Sequence, residues 1–523
     1  LAWTGVISPT QVNEFRFGWF KDRQYDALNP DILPPGGFMG SLTVDGVTNL
    51  GTPNYLPRVQ PTEDRFQFAD NFTWNINRHI LKLGADTAHA RDVTDQMINQ
   101  RGTYVYPNFT AFAQDFSGNT AGLKRWQSYS QTFGDPLFTL WIRDYNFYVQ
   151  DQFRATSRLT LNYGIRYELA AFTQPAAAIA RYPATGRIPE PKKNFAPRLG
   201  IAYSLFEGKT VLRAGYGLYY SRYPGALLNN LNIASSGQRS INLQASRPAD
   251  LAAGPVWPSA LPGLGSLAGA GATSLSMASE NMRTPYTQQL DLSVEQRLST
   301  HAALGVSYLT SRGRRFLAIR DANLGPPGGS FTYRILDASG NQTATYTTPT
   351  YLFANRIDRA YQRINTIESV ANIWYDAMVV QLRNRGLKAG PVSTFGTIAY
   401  TWAHTIDENL GGASNNLFFS GGPGTVFNGD FRGEKGSSSL DQRHRLVIGH
   451  AANLRLKNEP NAFFRYVVNN WQLSALMTLA TAQATTPPVT VSGTQFPGAA
   501  LTASPVCRAV PSTSTPSGGW TRV

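Results

Sequence analysis

The stretch RLTLNYGIRYEL, residues 158–169, decides the fold because apolar and polar side chains alternate along it almost without error. Successive side chains of an extended strand point to opposite faces of a sheet. One face carries Leu159, Leu161, Tyr163, Ile165 and Tyr167, and the other carries Thr160, Asn162, Gly164, Arg166 and Glu168. A soluble sandwich turns its apolar face toward a core, whereas a membrane barrel turns it toward lipid.

The composition favours a wall between lipid and water. Charged residues make up 15% of the 523 residues, against roughly 25% in ordinary soluble domains. Glycine (47 residues) and aromatic residues (12%) are abundant instead. No stretch has the roughly 18 to 20 consecutive apolar residues that a membrane helix requires. If the chain crosses a membrane, it is therefore expected to do so with strands.

The net charge of +14 raises nucleic acid as a partner, but the basic residues are scattered, and the densest short group is RGRR at 312–315. We therefore expect no nucleic-acid binding, and expect the positive charge to interact with anionic head groups or anionic solutes.

A single cysteine, Cys507, excludes an intramolecular disulfide and a thiolate metal cluster. The six histidines include no pair at the spacing of a helical zinc site, so neither a metal nor a cofactor is expected.

The same alternation recurs in pairs of segments joined by about two to six residues, which is the length of a hairpin turn. Strand 14–20 stands before the first pair, and the predicted hairpins are 65–76 with 80–86, 146–153 with 158–169, 198–205 with 211–220, 288–298 with 302–309, 377–385 with 393–405, and 444–456 with 470–481. Far longer connections separate the pairs: residues 21–63, 91–137, 221–285, 310–372 and 406–441.

These long connections are rich in Gly, Pro, Asn and Ser and show no helical period, so we expect loops without regular structure. Compact soluble domains seldom contain several such loops. Outer-membrane barrels, in contrast, have short periplasmic turns and long extracellular loops. The sequence therefore predicts an all-β protein, a large antiparallel transmembrane β-barrel in the cell outer membrane of a Gram-negative bacterium.

Several segments together resemble the barrel portion of a TonB-dependent outer-membrane receptor, in particular its Oar-like branch. They are FYVQDQFRATSRLTLNYGIRYEL (147–169), NFAPRLGIAYSLFEGKTVLRAGYGLYYSR (194–222), TPYTQQLDLSVEQRL (284–298), GVSYLTSRGRR (305–315), AYTWAHTIDE (399–408), LDQRHRLVIG (440–449) and NNWQLSALMTLATAQATTP (469–487). The resemblance implies a 22-stranded barrel closed by a plug and energised through TonB, for uptake of scarce or large solutes.

The sequence departs from that family at both ends. About 13 to 16 strands can be drawn by the hairpin rule, so only part of the family barrel is expected here. Residues 1–486 are assigned to barrel strands and loops, and residues 487–523 to a Pro/Ser/Thr-rich loop or truncated end. No segment resembles a plug, a TonB box or the additional N-terminal domain of Oar-like relatives. An open barrel would expose unpaired backbone groups to lipid, so further strands or partner chains are expected to close it.

No motif supports catalysis, and we expect that the protein is not an enzyme. The Gly-rich segment 263–271 lacks the flanking strand and helix of a phosphate-binding loop and is interpreted as a flexible loop. Charged groups at 407–409 and 441–445 are interpreted as rim residues that are solvated and form local ion pairs, with a polar patch that guides solute or plug as the alternative.

The candidate functional residues are those of the two strand faces. The lipid-facing candidates are Leu159, Leu161, Tyr163, Ile165, Tyr167, Tyr216 and Trp402. The lumen-facing candidates are Lys82, Asp86, Arg166, Glu168, Arg198 and Arg213. Inward charges are expected to pair with one another and with a plug. A sharper hypothesis is that the inward arginines give the lumen a cationic bias that favours anionic solutes.

The expected partners are outer-membrane lipid and lipopolysaccharide, an unidentified solute, the TonB complex by resemblance, and other membrane proteins in case of an assembly. Two other classes remain open. One is a passive porin-like channel without a plug. The other is a surface protein anchored by its barrel, whose long loops at 221–285 and 310–372 act in adhesion or assembly.

Overall fold

The fold was examined in a computed structural model. The structure describes residues 1–26, 38–44, 48–233, 238–266, 273–336, 342–350, 355–408, 435–456, 461–484, 514–515 and 519–520.

The described chain is dominated by strands. In the first half they are β1 (Ala2–Ser8), β2 (Gln11–Asp26), β3 (Ser41–Val44), β4 (Thr48–Gly51), β5 (Arg58–Ile76), β6 (His79–Gln96), β7 (Thr103–Tyr106), β8 (Ser128–Phe133), β9 (Leu137–Arg154), β10 (Leu159–Phe172), β11 (Phe195–Leu205) and β12 (Thr210–Tyr220). In the second half they are β13 (Arg239–Gln244), β14 (Thr273–Ala278), β15 (Tyr286–Arg297), β16 (Ala302–Asp321), β17 (Gly329–Leu336), β18 (Gln342–Thr350), β19 (Tyr361–Ala389), β20 (Val392–Glu408), β21 (Lys435–Ser437), β22 (His444–Leu454), β23 (Trp471–Ala480), β24 (Ser514–Thr515) and β25 (Gly519–Trp520).

The α-helices are α1 (Phe109–Phe116), α2 (Gly225–Ile233) and α3 (Pro248–Ala253). Short 3₁₀ segments lie at Pro183–Gly186, Phe206–Gly208 and Leu264–Ser266, and one π-helical turn lies at Phe464–Val468.

One large antiparallel sheet forms the wall. Fourteen strands follow one another in the order β1-β2-β5-β6-β9-β10-β11-β12-β15-β16-β19-β20-β22-β23, and in addition β14 pairs with β19 in parallel and β21 pairs with β20. Each of the fourteen strands pairs with its neighbours in that order, so the main path of the sheet is an up-and-down meander. All six predicted hairpins are confirmed by the pairings. The strand predicted at 14–20 lies within β2, which pairs with both β1 and β5.

The wall has two distinct ends. At one end, called the short-turn end, the strands are joined by turns such as Asn77–Arg78 and Ala155–Arg158. At the opposite end, called the long-loop end, the connections are long. Several strands exceed the roughly 9–11 residues that cross a bilayer, β19 reaching 29 residues. Such strands extend past the apolar region toward the long-loop end.

The register of the strand pairs places the apolar residues of neighbouring strands on the same face as those of β10. Tyr163 stands opposite Asp151 and Leu199, and Arg166 stands opposite Tyr148 and Ala196. Cross-strand partners share a face, so the wall has one apolar face and one polar face. The apolar face leaves many large side chains open, among them Phe147, Leu199, Leu292, Met378 and Trp402. A continuous apolar band of this size on a soluble monomer would be anomalous.

The long connections fold into a second sheet, contrary to the expectation of irregular loops. Strands from three of them assemble in the order β13-β8-β7-β3-β4, with β3 and β7 parallel. We call this sheet with α1 and α3 the cap. The cap has its own aromatic core of Phe38, Tyr104, Tyr106, Phe112, Trp126, Tyr129 and Trp257, together with aliphatic side chains. Burial of these rings supplies the apolar contacts that an isolated loop lacks.

A second core closes against the wall itself. Leu227, Leu228 and Leu231 of α2 are almost fully buried, and they pack with Leu140 of β9 and Phe172 of β10. Leu140 is separated from Asp144 and Asn146 by even steps along β9, so it belongs to the polar face. Helix α2 therefore covers the polar face at the long-loop end.

Candidate functional site at the polar face and the long-loop end

The strongest charge cluster of the polar face surrounds Arg166. Its guanidinium lies 2.8 Å from Asp86 and 3.0 Å from Glu168. Asn146 donates a hydrogen bond of 2.8 Å to Asp86 from the strand between them. The arrangement exists because β6, β9 and β10 are neighbours and these residues occupy the same face. One cation thus stands between two carboxylates, and three of the predicted residues are brought together.

The remaining three predicted residues of the polar face lie apart from this cluster. Arg213 shares Glu295 with Arg383, at 3.4 and 3.9 Å. Arg198 stacks over the ring of Tyr219 at 4.6 Å, a cation–π geometry. Lys82 is exposed and stands opposite Thr73 and Gln150. Of these three basic residues, Arg213 has an acidic partner, whereas Arg198 and Lys82 form no ion pair with the described residues.

The seven residues predicted to face lipid all lie on the apolar face by register. Tyr163, Ile165, Tyr216 and Trp402 are exposed, and Leu159, Leu161 and Tyr167 are half-buried by their neighbours.

One polar group interrupts this face near the short-turn end. Asp151 accepts a hydrogen bond of 2.7 Å from the Tyr163 hydroxyl and lies 2.6 Å from Nδ1 of His79. The tyrosine thus combines an apolar ring with a satisfied hydroxyl.

The long-loop end holds a cavity of about 450 Å³ beside the second core. Its polar lining consists of Arg187 and Arg283 with Glu190 and Glu280, and its apolar lining is mostly proline and alanine. Glu190 accepts hydrogen bonds from the backbone N–H of Phe172 and from the amide of Gln174. The cavity is large enough for a small polar solute, with charges of both signs at its walls.

A buried polar network orders the connection between β16 and β19. Arg356 lies 2.5 Å from Asp321, and both side chains are less than 5% exposed. The other oxygen of Asp321 accepts from the backbone N–H groups of Asn323 and Ile364. Breaking a buried pair of this kind leaves an uncompensated charge, which is strongly destabilising.

The same network reaches the loop that follows β10. Burial disfavours ionisation of Asp358, but hydrogen bonds from the Tyr182 hydroxyl and the Ala360 N–H, together with Arg181, outweigh it and hold the pKa of this carboxyl below its ordinary value. Tyr182 donates at 2.7 Å and Arg181 lies at 3.1 Å. The ionised carboxylate of Asp358 thereby joins the loop after β10 to the connection between β16 and β19.

The acidic groups at the strand ends are not solvated as predicted, although Asp441 forms a local ion pair of the predicted kind with Arg443 at 3.3 Å. Asp407, Glu408 and Asp441 are buried. Asp441 accepts the backbone N–H of Thr405 at 2.7 Å, and Glu408 accepts that of Asn372 at 2.9 Å. A buried backbone N–H needs an acceptor where a ladder ends, so these carboxylates terminate the strands rather than solvate the rim.

Sequence reasoning missed the cap. The sequence features that could have indicated its strands are short alternating stretches such as TYVY at 103–106, where Tyr104 and Tyr106 are both fully buried.

Part of the Gly-rich segment 263–271 lies outside the described residues. Within the described ranges no group of three His, Cys, Asp or Glu residues could hold a metal ion. None of the helices in those ranges is long and apolar enough to span a membrane.

A family model described as "Outer membrane beta barrel domain" matches residues 1–521. The search of curated proteins gave no match. Similar solved structures include the outer membrane transporter YddB from Escherichia coli, with 12% identity, a TM-score of 0.49, and coverage of 92% of this chain and 54% of that one.

Two further structures show comparable similarity. The FrpB iron transporter (F3-3 variant) from Neisseria meningitidis has 10% identity, a TM-score of 0.43, and coverage of 88% of this chain and 48% of that one. FpvA of P. aeruginosa bound to heterologous pyoverdines has 10% identity, a TM-score of 0.42, and coverage of 87% and 43%. The chain spans about half the length of these structures.

Proposed function

The chain belongs to the outer membrane beta barrel domain family, and from this premise we propose that it is the barrel of a TonB-dependent receptor, of the Oar-like branch, that takes up a scarce or large solute. The location in the outer membrane follows from the family. The partners under this proposal are membrane lipid and lipopolysaccharide, the TonB complex and the solute. Under this proposal residues 1–486 are the barrel strands and loops, and residues 487–523 are a separate Pro/Ser/Thr-rich segment.

The packing of α2 on the polar face carries the proposal. A passive channel needs an open path along its polar face, whereas here α2 packs on that face at the long-loop end. A polar face that is covered in this way favours entry by binding and release over free diffusion. The cavity next to the second core, lined by Arg187, Glu190, Glu280 and Arg283, is the candidate position for a first contact with solute.

The proposal assigns the apolar face to lipid and the polar face to the lumen. We expect single cysteines at Tyr163 and Ile165, in a Cys507→Ser background, to react only with a lipid-phase thiol reagent. Cysteines at Asn162 and Arg166 should react with a small water-soluble reagent. Gly164 is a poor labelling position because a Cβ there would lie 2.5 Å from the Val149 carbonyl oxygen. Inverted labelling would mean that the apolar face is a protein core.

Conductance and TonB binding test the transport mechanism. The full-length gene product, inserted in a planar bilayer, should show no steady conductance, and it should bind the purified periplasmic domain of TonB. Steady conductance with the cap intact, without TonB binding, would instead establish a passive porin-like channel.

The ordered cap also suits the alternative of a barrel-anchored surface protein. A sheet with its own aromatic core presents a rigid surface, which favours adhesion or assembly. Cells lacking the gene product would then lose attachment to a surface or to each other and would keep solute uptake. Loss of uptake alone would favour the receptor.

A further inference from the structure

Basic side chains are concentrated at the short-turn end of the wall. Six consecutive turns or their flanks, from the β5–β6 turn to the β22–β23 connection, each carry at least one exposed arginine or lysine. They are Arg78, Arg154, Arg158, Lys209, Arg297, Arg385, Lys388 and Arg455. Glu207 is the single acidic residue within the stretches 77–78, 154–158, 206–209, 297–301, 385–391 and 455–456.

These basic groups have no acidic partners within the described residues, where none of the eight forms an ion pair. The two hydrogen bonds that their side chains make go to carbonyl oxygens, from Arg78 to Ala155 and from Arg297 to Gly208. At the long-loop end, in contrast, Asp321, Asp358 and Asp441 each neutralise an arginine. The eight basic groups of the short-turn end are therefore left without ion pairs in the described part of the chain.

Exposed apolar side chains accompany the basic ones on the same turns. Phe206 is 71% exposed beside Lys209, Leu298 is 57% exposed beside Arg297, and Leu387 is 49% exposed beside Lys388. Apolar groups next to Arg or Lys are typical of protein segments at a membrane interface, where the ring or alkyl chain enters the acyl boundary and the charge meets head groups.

We propose that this end is a basic rim that binds the anionic phospholipid head groups of the periplasmic leaflet. The charges are distributed over six neighbouring hairpins rather than gathered in one patch, so they fit a surrounding leaflet better than a single protein partner. Anionic head groups attract basic residues near the membrane surface, and salt weakens this attraction. The inference depends on the barrel and its orientation, and it does not require that the protein transports a solute.

The test compares two variants with the same change in charge. In the rim variant Arg154, Arg158, Lys209 and Arg385 are replaced with Gln. In the control variant Arg23, Lys192, Lys193 and Arg359, which are exposed at the long-loop end, are replaced with Gln. Full-length proteins are reconstituted in phosphatidylcholine vesicles with spin-labelled phosphatidylglycerol or phosphatidylcholine. Electron paramagnetic resonance then gives the relative association of each lipid with the protein surface.

We expect the native protein to prefer phosphatidylglycerol by at least about threefold at low salt. The ratio of phosphatidylglycerol to phosphatidylcholine association should fall toward unity in the rim variant and stay at the native value in the control variant. High salt should lower this ratio for the native protein. A heat-dependent gel shift verifies that each barrel is folded. The proposal is overturned if the native protein shows no preference, or if the control variant loses the preference and the rim variant keeps it. In the first case a periplasmic protein becomes the candidate partner of the rim.

Discussion

Trp257 lies at the centre of the cap core, and its replacement with alanine should unfold the cap without unfolding the wall. The indole ring contacts Phe38 at 5.1 Å, Tyr104 at 5.2 Å and Phe112 at 5.5 Å between ring centroids. Removal of a buried tryptophan costs about 3–5 kcal/mol, because a cavity remains where the ring was packed. This corresponds to a roughly 10²- to 5 × 10³-fold increase in the open population of the cap.

Hydrogen exchange of the full-length protein measures this change. The amides of β7 and β8, which pair in the cap, should lose protection by that factor in Trp257→Ala. The amides of β9 and β10 in the wall should exchange as in the native protein. Trp257→Phe should cost less than the alanine variant, because the phenyl ring still fills much of the core and the indole N–H has no acceptor among the described residues.

Phe109→Ala is the matched control, because Phe109 is 53% exposed on α1. Its effect should stay within about 0.5 kcal/mol. Unchanged protection of β7 and β8 in Trp257→Ala would refute the inference that the aromatic core holds the cap together. Loss of protection in β9 and β10 as well would refute the independence of cap and wall. If the cap closes the channel, Trp257→Ala should also acquire steady conductance in a planar bilayer.

Three further perturbations test other parts of the structure. Asp441→Ala removes the acceptor of the Thr405 N–H and should destabilise that strand end by about 1–3 kcal/mol, seen as faster exchange of the Thr405 amide, while Asp441→Asn retains an acceptor and should cost less. Burial raises the pKa of Tyr223 to about 12 and also raises that of Tyr104. Because the folded state favours the neutral phenols, their stabilisation is complete below the unfolded pKa of about 10 and is lost as the pH rises through the folded values. The second core and the cap should therefore resist unfolding to pH 10 and lose hydrogen-exchange protection above it, and an unchanged profile to pH 12 would contradict this. Replacement of Arg166 together with the other polar-face arginines, Arg198 and Arg213, by Gln should weaken uptake of anionic solutes specifically, as measured with anionic and neutral analogues of one solute, and an unchanged preference would exclude a cationic lumen.

The wall could be predicted from sequence because its determinants are local. A strand such as β10 shows its two faces within one short stretch, and its partner β9 is the preceding strand in the chain. Hairpin turns of a few residues fix that pairing. The hairpins and the two faces were therefore predictable, together with the common face of Asp86, Arg166 and Glu168.

The cap, the second core and the buried acids depended on contacts that no local pattern carries. Tyr104 packs against Trp257 although more than 150 residues separate them, and Asp358 meets Tyr182 across a similar interval. Short aromatic stretches in a loop gain stability only when several loops bury them together, since each alone cannot offset its conformational entropy. The sequence by itself determined the strands of the six wall hairpins, their pairing and their two faces. Tertiary structure alone decided which loops pack together and on the polar face, and where the remaining charges are paired or left free, because both depend on burial between distant segments.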